Sequence, residues 1–155
     1  MRRFMLALLL VALPSLVQAQ SFQFQYAAKF VCGKLGQSPA ANFAGGVYFT
    51  TINVYNTSSE VIDKRIVVAL PDETAGGSTK NIAVKLPPSR AMQIDCSNIL
   101  KHLQAEGVPT PATPVDGFVI IRAMTPIDVV GVYTTSLSAG IVTMTMDRVP
   151  ARKLP

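Results

Sequence analysis

Two runs decide the fold: GVYFTTINVYN (46–56) and VIDKRIVVAL (61–70), separated by the polar tetrapeptide TSSE (57–60). In the second run Ile62, Ile66, Val68 and Leu70 alternate with residues directed the other way, and Lys64 is the exception near its outer end. A period of two is the signature of a strand with one face in a core, because successive side chains point to opposite sides of the pleat. Two such runs around a short polar link predict an antiparallel hairpin.

The same pattern repeats outward from this pair. QYAAKFVC (25–32) reads as a first strand, followed by a loop rich in Gly, Ser, Pro and Ala that runs to Gly46. KNIAVKL (80–86) points Ile82, Val84 and Leu86 one way and Asn81 and Lys85 the other, and Pro87 and Pro88 end it because proline donates nothing to a ladder. RAMQI (90–94), FVIIRAM (118–124), DVVGVYTTSL (128–137) and IVTMTMDRV (141–149) complete about eight strands, with the prolines of EGVPTPATPVDG marking a loop or an edge. The expected fold is all-β: an antiparallel two-sheet β-sandwich with one short helix. A closed barrel is the competing arrangement.

The first twenty residues, MRRFMLALLLVALPSLVQAQ, follow a different rule. Arg2 and Arg3 precede an apolar run broken at Pro14, and Val17-Gln18-Ala19 supplies small residues at a cleavage position, the three-part layout of a secretory signal peptide. The expected organisation is a signal peptide at 1–19 and a single β-sandwich domain at 20–155. No transmembrane segment is expected after the signal is removed, so the mature protein is placed in the periplasm or the extracellular medium. Without Arg2 and Arg3 the charge falls from 14 basic minus 9 acidic residues to 12 minus 9, or +3. This small surplus is scattered from Lys29 to Arg90, with a cluster at Arg148, Arg152 and Lys153 read as a solvated tail, and it lacks the basic stripe with interleaved aromatics of a nucleic-acid binder. With 49% apolar residues and few charges, disorder is excluded for the bulk of the chain.

The segment MQIDCSNILKHLQ (92–104) holds one of the two cysteines and the single histidine. Asp95 or Ser97 can cap a helix that Gly107 ends, with Ile99, Leu100 and Leu103 on one face and Cys96 sharing it. A Ser-His-Asp site fails on geometry. Ser97 and His102 diverge by about 140° around the helix, and Asp95 and His102 are roughly 10 Å apart along it. His102 is expected at the rim or in solvent. An exported chain with two cysteines has one possible internal pairing, Cys32 with Cys96, which would close a loop of about 65 residues and stabilise the fold by roughly 4 kcal/mol. Two buried thiols are the alternative; a redox couple lacks the C-x-x-C spacing.

Other constellations carry less. Met92, Met124, Met144 and Met146 with His102 have the ligand types of a copper(I) site, but Met144 and Met146 alternate with Thr143 and Thr145 beside Val142, and core packing is the expected role. Thr50, Thr51, Tyr55, Thr134, Thr135, Thr143 and Thr145 suit a polar face for glycans or simply the solvated side of strands. Asn56-Thr57-Ser58 has the pattern of a glycosylation acceptor. No metal site and no cofactor are expected.

Taken together, AAKFVCG, GGVYFTTINVYN, IDCSNI and FVIIRAMTPIDVVGVYT resemble, in their order, a group of small exported bacterial proteins that brings no established activity. The order of an N-x-x strand pair, a proline-initiated strand, a short helix and a final V-V-x-x-Y-T strand is also similar to the sensory rhodopsin transducer family. That resemblance implies a β-sandwich and self-association. The expected function is accordingly an exported, non-catalytic module that acts through a surface, by binding a protein partner or copies of itself. A binding protein for a small ligand such as a sugar is the alternative. An enzyme would need a site gathered from distant residues such as Asp116, Asp128 and Arg122.

Overall fold

The computed structural model describes residues 21–36, 43–71, 77–110, 114–137, 140 and 142–155. The signal-peptide assignment to 1–19 and most of the loop before Gly46 lie outside the described residues. The chain is all-β with one helix, in the order β1 (Phe24–Leu35), β2 (Gly46–Tyr55), β3 (Ile62–Leu70), β4 (Gly77–Ser78), β5 (Ile82–Leu86), β6 (Ala91–Asp95), α1 (Cys96–Ala105), β7 (Val115–Ala123), β8 (Asp128–Leu137), β9 (Val142–Arg148) and β10 (Arg152–Lys153). Eight strands coincide with the alternating runs of the sequence; β4 and β10, of two residues each, are too short to show a period. Among the described residues no helix is long and apolar enough to cross a membrane.

All pairings are antiparallel. In one sheet the order is β10-β1-β7-β3, with β5 and β4 sharing the far side of β3. In the other, β2 pairs along its whole length with β8, which pairs with β9, while the opposite side of β2 is shared by β6 and the end of β1. The strand path runs from β4 to β9 without closing, so the arrangement is a sandwich and not a barrel.

The hairpin expected of β2 and β3 does not form. β2 lies in the second sheet and β3 in the first, and the TSSE link arches between them. Its geometry is set by Asn56, which is fully buried and whose Nδ2 donates to the carbonyls of Glu60, Leu86 and Pro87 at 2.7, 2.9 and 3.0 Å. Ser58 N–H closes a local turn on Asn56 Oδ1. A period of two shows which face of a strand is buried, not which strand lies beside it. The asparagine is therefore a structural hub with its amide fully engaged, not an exposed glycan acceptor.

β1 belongs to both sheets. Residues 24–32 pair with β7, and 33–35 pair with β2. The transfer happens at Gly33, whose φ of 122° is closed to most side chains. Just before it, the buried Thr50 hydroxyl accepts from Val31 N–H and donates to Val31 C=O, joining the two sheets where they converge. Between the sheets Tyr26, Phe30, Ile52, Val54, Val68, Val119, Ile121 and Val129 form the core, and α1 contributes Ile99 and Leu103.

Close packing also explains Gly117 in β7. A Cβ there would sit 2.3 Å from the Ala69 carbonyl oxygen and 3.0 Å from the Phe30 ring. Gly117→Ala is expected to lower stability by about 2 kcal/mol or more through overpacking, and Asn56→Ala by roughly 2–3 kcal/mol by orphaning buried carbonyls. Urea unfolding followed by circular dichroism checks both.

Candidate functional site

Helix α1 forms where the sequence placed it. Asp95 is the N-cap: its Oδ1 accepts from Asn98 N–H at 2.8 Å, and Asn98 Oδ1 accepts from Asp95 N–H at 3.2 Å, a reciprocal box that satisfies two orphan amides. The Asp95 carboxylate is thus committed to the cap, Ser97 is exposed, and His102 sits half-buried at the rim. No triad is assembled. His102 lines a shallow cleft of about 140 Å³ between β5 and β6, whose walls are Ile66, Val84, Met92 and Ile94 with Gln93 and Asn98.

The sulfurs of Cys32 and Cys96 are at bonding distance, 2.05 Å, with Cα atoms 5.5 Å apart. This pair stands at a gap in the ladder. Along the inner edge of β2, Tyr48 is paired with β1 and Ile52 with β6, and the Thr50 amide between them donates to Cys96 Sγ at 3.2 Å. The disulfide therefore fills the position of a missing strand partner while tying α1 to β1.

The residues proposed for a dispersed site are not brought together. Asp116 and Arg122 occupy opposite ends of β7, roughly 20 Å apart at the rise of a strand; Asp116 pairs with Lys29, and Arg122 Nε donates to Gln25 Oε1. Asp128 begins β8 in the other sheet and pairs with Arg148. Nor do the threonines share a surface: Thr50 is buried, Thr51 and Thr134 lie on the outer face of the second sheet, and Thr135, Thr143 and Thr145 lie on its other face.

Two buried or exposed features depart from the sequence reading. Lys64 is only 1% exposed, and among the described residues its Nζ is the one buried side-chain polar atom lacking a hydrogen-bond partner. Its inward register between Ala123 and Val84 follows directly from the alternation of β3. Burial lowers its pKa from 10.5 to about 8. Conversely, Met144 and Met146 are not in the core: both are 65% exposed, as is Val142 at 64%. Their register puts them on the face of the second sheet turned away from the first, opposite to the side that carries the buried Thr50 and Ile52. Met92 and Met124 are partly buried. Among the described residues no cluster of three His, Cys, Asp or Glu groups is arranged for a metal.

The outer face of the second sheet is consequently apolar. Direct register places Val47, Ser136 and Val142 in one row, Phe49, Thr134 and Met144 in the next, and Thr51, Val132 and Met146 in the third. Val47 and Phe49 are nearly half exposed. On the opposite face of the same sheet Tyr48, Thr50, Tyr133 and Thr135, with Phe43, line a concavity of about 220 Å³.

No family model and no curated protein matches the chain. Among solved structures it is similar to Thermotoga maritima 1070, with a TM-score of 0.52 and 11% identity over 84% of this chain and 93% of that one. The Anabaena sensory rhodopsin transducer aligns with a TM-score of 0.45 and 15% identity over 83% of this chain and all of the other. The first of these likenesses supports the fold and nothing beyond it.

Lys64 yields a prediction with a definite sign. Because its folded pKa lies below its unfolded value, the cost of burying the ammonium is fully present below pH 8 and is relieved as pH rises from about 8 to 10.5. Lys64→Met should therefore be more stable than the wild type at pH 7, with the gap narrowing as pH rises toward 10.5. Chemical denaturation across this range checks it.

Proposed function

We propose that this protein works by self-association, as a non-catalytic exported module whose copies join along β9. The observation that carries the reading is the state of that strand: among the described residues it is a seven-residue edge, paired on one side only, with every residue exposed. Edge strands are ordinarily blunted by proline, lysine or a bulge, because unpaired backbone groups template further pairing. VTMTM (142–146) has none of these.

The free edge is suited to a second copy. Val149 N–H donates to Val129 C=O, so in an alternating antiparallel ladder the odd residues of β9 face β8. Val142, Met144, Met146 and Arg148 then direct their backbone groups outward. Two β9 strands in fully overlapping antiparallel register match outward residue with outward residue, giving about eight backbone hydrogen bonds. Thr145 falls on the two-fold axis, Met144 of one copy lies opposite Met146 of the other, Arg148 meets Val142 and Asp147 meets Thr143. No like charges are opposed. The apolar rows of each outer face become one continuous surface across the axis.

A second reading, binding of a small ligand such as a sugar, is favoured by the aromatic and threonine lining of the concavity at Tyr48 and Tyr133. Native mass spectrometry separates the two. Self-association predicts an even-numbered oligomer with no added mass, reduced to monomer at micromolar concentration by Met146→Pro, which removes an outward-directed N–H, and by Met144→Lys. A wild-type monomer that retains a defined small molecule would replace this reading with the second.

A further inference from the structure

The outer face of the first sheet carries a second feature. Register places Arg152 of β10, Gln25 of β1, Arg122 of β7 and Arg65 of β3 in one cross-strand row. All three arginines are exposed, and they point away from the core, since Tyr26, Ile121 and Ile66 beside them on the same strands are buried. Arg122 and Arg65 are directly opposite neighbours, about 5 Å apart at the strand spacing, with Arg152 about 10 Å from Arg122.

Like charges directly opposite on a sheet destabilise it unless a counter-charge intervenes. Among the described residues none of the three arginines forms an ion pair; the carboxylates that do so are Asp116, with Lys29, Glu106, with Lys80, and Asp128, with Arg148. Asp63, the carboxylate nearest along this face, is opposite Lys85. Arg122 is also oriented: its Nε donates to Gln25 Oε1 at 3.0 Å, which holds the guanidinium plane and leaves both terminal nitrogens as donors. A planar, oriented guanidinium beside a second one is the donor set that grips a tetrahedral oxyanion.

We infer that the Arg65-Arg122-Arg152 row is a binding site for an extended polyanion, a sulfated or phosphorylated polysaccharide, with one anionic group between Arg65 and Arg122 and another at Arg152. The surroundings favour this chemistry over its rivals. The adjacent row, Ala27, Ile120 and Val67, is a low apolar strip on which sugar rings can lie. Phe118, an exposed aromatic of this face, has the Lys29 ammonium 5.1 Å from its centroid and lies two rows from the arginines; among the described residues it is a lone ring and not the series of stacking platforms that nucleobases use. Most of the large exposed apolar side chains, Val47, Phe49, Val142, Met144 and Met146, are on the other sheet; on this side Val61 and Phe118 stand singly, four residues along the chain from Arg65 and Arg122, and do not form a patch beside the row.

The site is independent of association through β9. The test measures binding of the intact mature protein to immobilised dextran sulfate, neutral dextran and phosphatidylglycerol vesicles at fixed salt. Wild type should bind dextran sulfate and neither of the others. Arg65→Gln with Arg122→Gln should weaken binding at least tenfold, whereas the charge-matched control Lys34→Gln with Lys101→Gln should change it less than threefold. Arg65→Lys with Arg122→Lys keeps the charge and loses the planar donors, and should cost at least threefold. The glutamine variant should also melt no lower than the wild type, since it removes a repulsion. Equal losses in the glutamine pair and its control, tighter binding to the vesicles, or no binding to dextran sulfate would overturn the assignment.

Discussion

Everything in this sandwich depends on β1 serving two sheets. A strand that leaves one ladder and enters another exposes backbone groups at the transfer, and buried unpaired amides and carbonyls are expensive. Here three devices meet within a few residues. Gly33 makes the bend, the Thr50 hydroxyl takes both backbone groups of Val31, and Cys96 Sγ accepts the Thr50 amide at the gap between β1 and β6. The Cys32–Cys96 link holds these pieces in register and draws α1 over the same corner. It serves as a structural pin in a segment that superficially has the residues of a reactive centre.

Once β1 is fixed, the rest of the topology follows. β7 and β3 extend the first sheet, β2 and β8 the second, and β9 lies at the edge of the second. Polar groups caught inside are treated unequally. Asn56 is held by three carbonyls, whereas Lys64 has no partner among the described residues and is accommodated with a pKa lowered by desolvation. The two sheets also present unlike outer faces: one apolar and ending in a free edge, the other crossed by arginines. A module with two such faces has the means to assemble through one, as proposed, and to hold a charged partner on the other.

Much of this was legible in the residues, for physical reasons that also explain the remainder. Alternation located eight strands, because each has one face in a core. It also placed Lys64 inward, although a charge in that position reads as an exception. The partner of a strand is a long-range choice, and so the runs around TSSE suggested a hairpin where the chain instead crosses between sheets on Asn56. Met144 and Met146 alternate as core residues do, but alternation is equally produced by an apolar face that meets another molecule. RVPARKLP reads as a solvated tail, yet Arg152 and Lys153 pair with β1 and Leu154 N–H donates to Gln23 C=O. The arginine row became visible only when β10, β1, β7 and β3 were placed side by side.

The most direct test of the account is amide hydrogen exchange along β9, measured by NMR at high and low protein concentration. The proposed pairing predicts that the Met144 and Met146 amides are protected in the concentrated sample and exchange freely on dilution, while Thr145, directed at β8, stays protected in both. Fast exchange of Met144 and Met146 at every concentration would contradict it, and would return β9 to the status of an ordinary exposed edge.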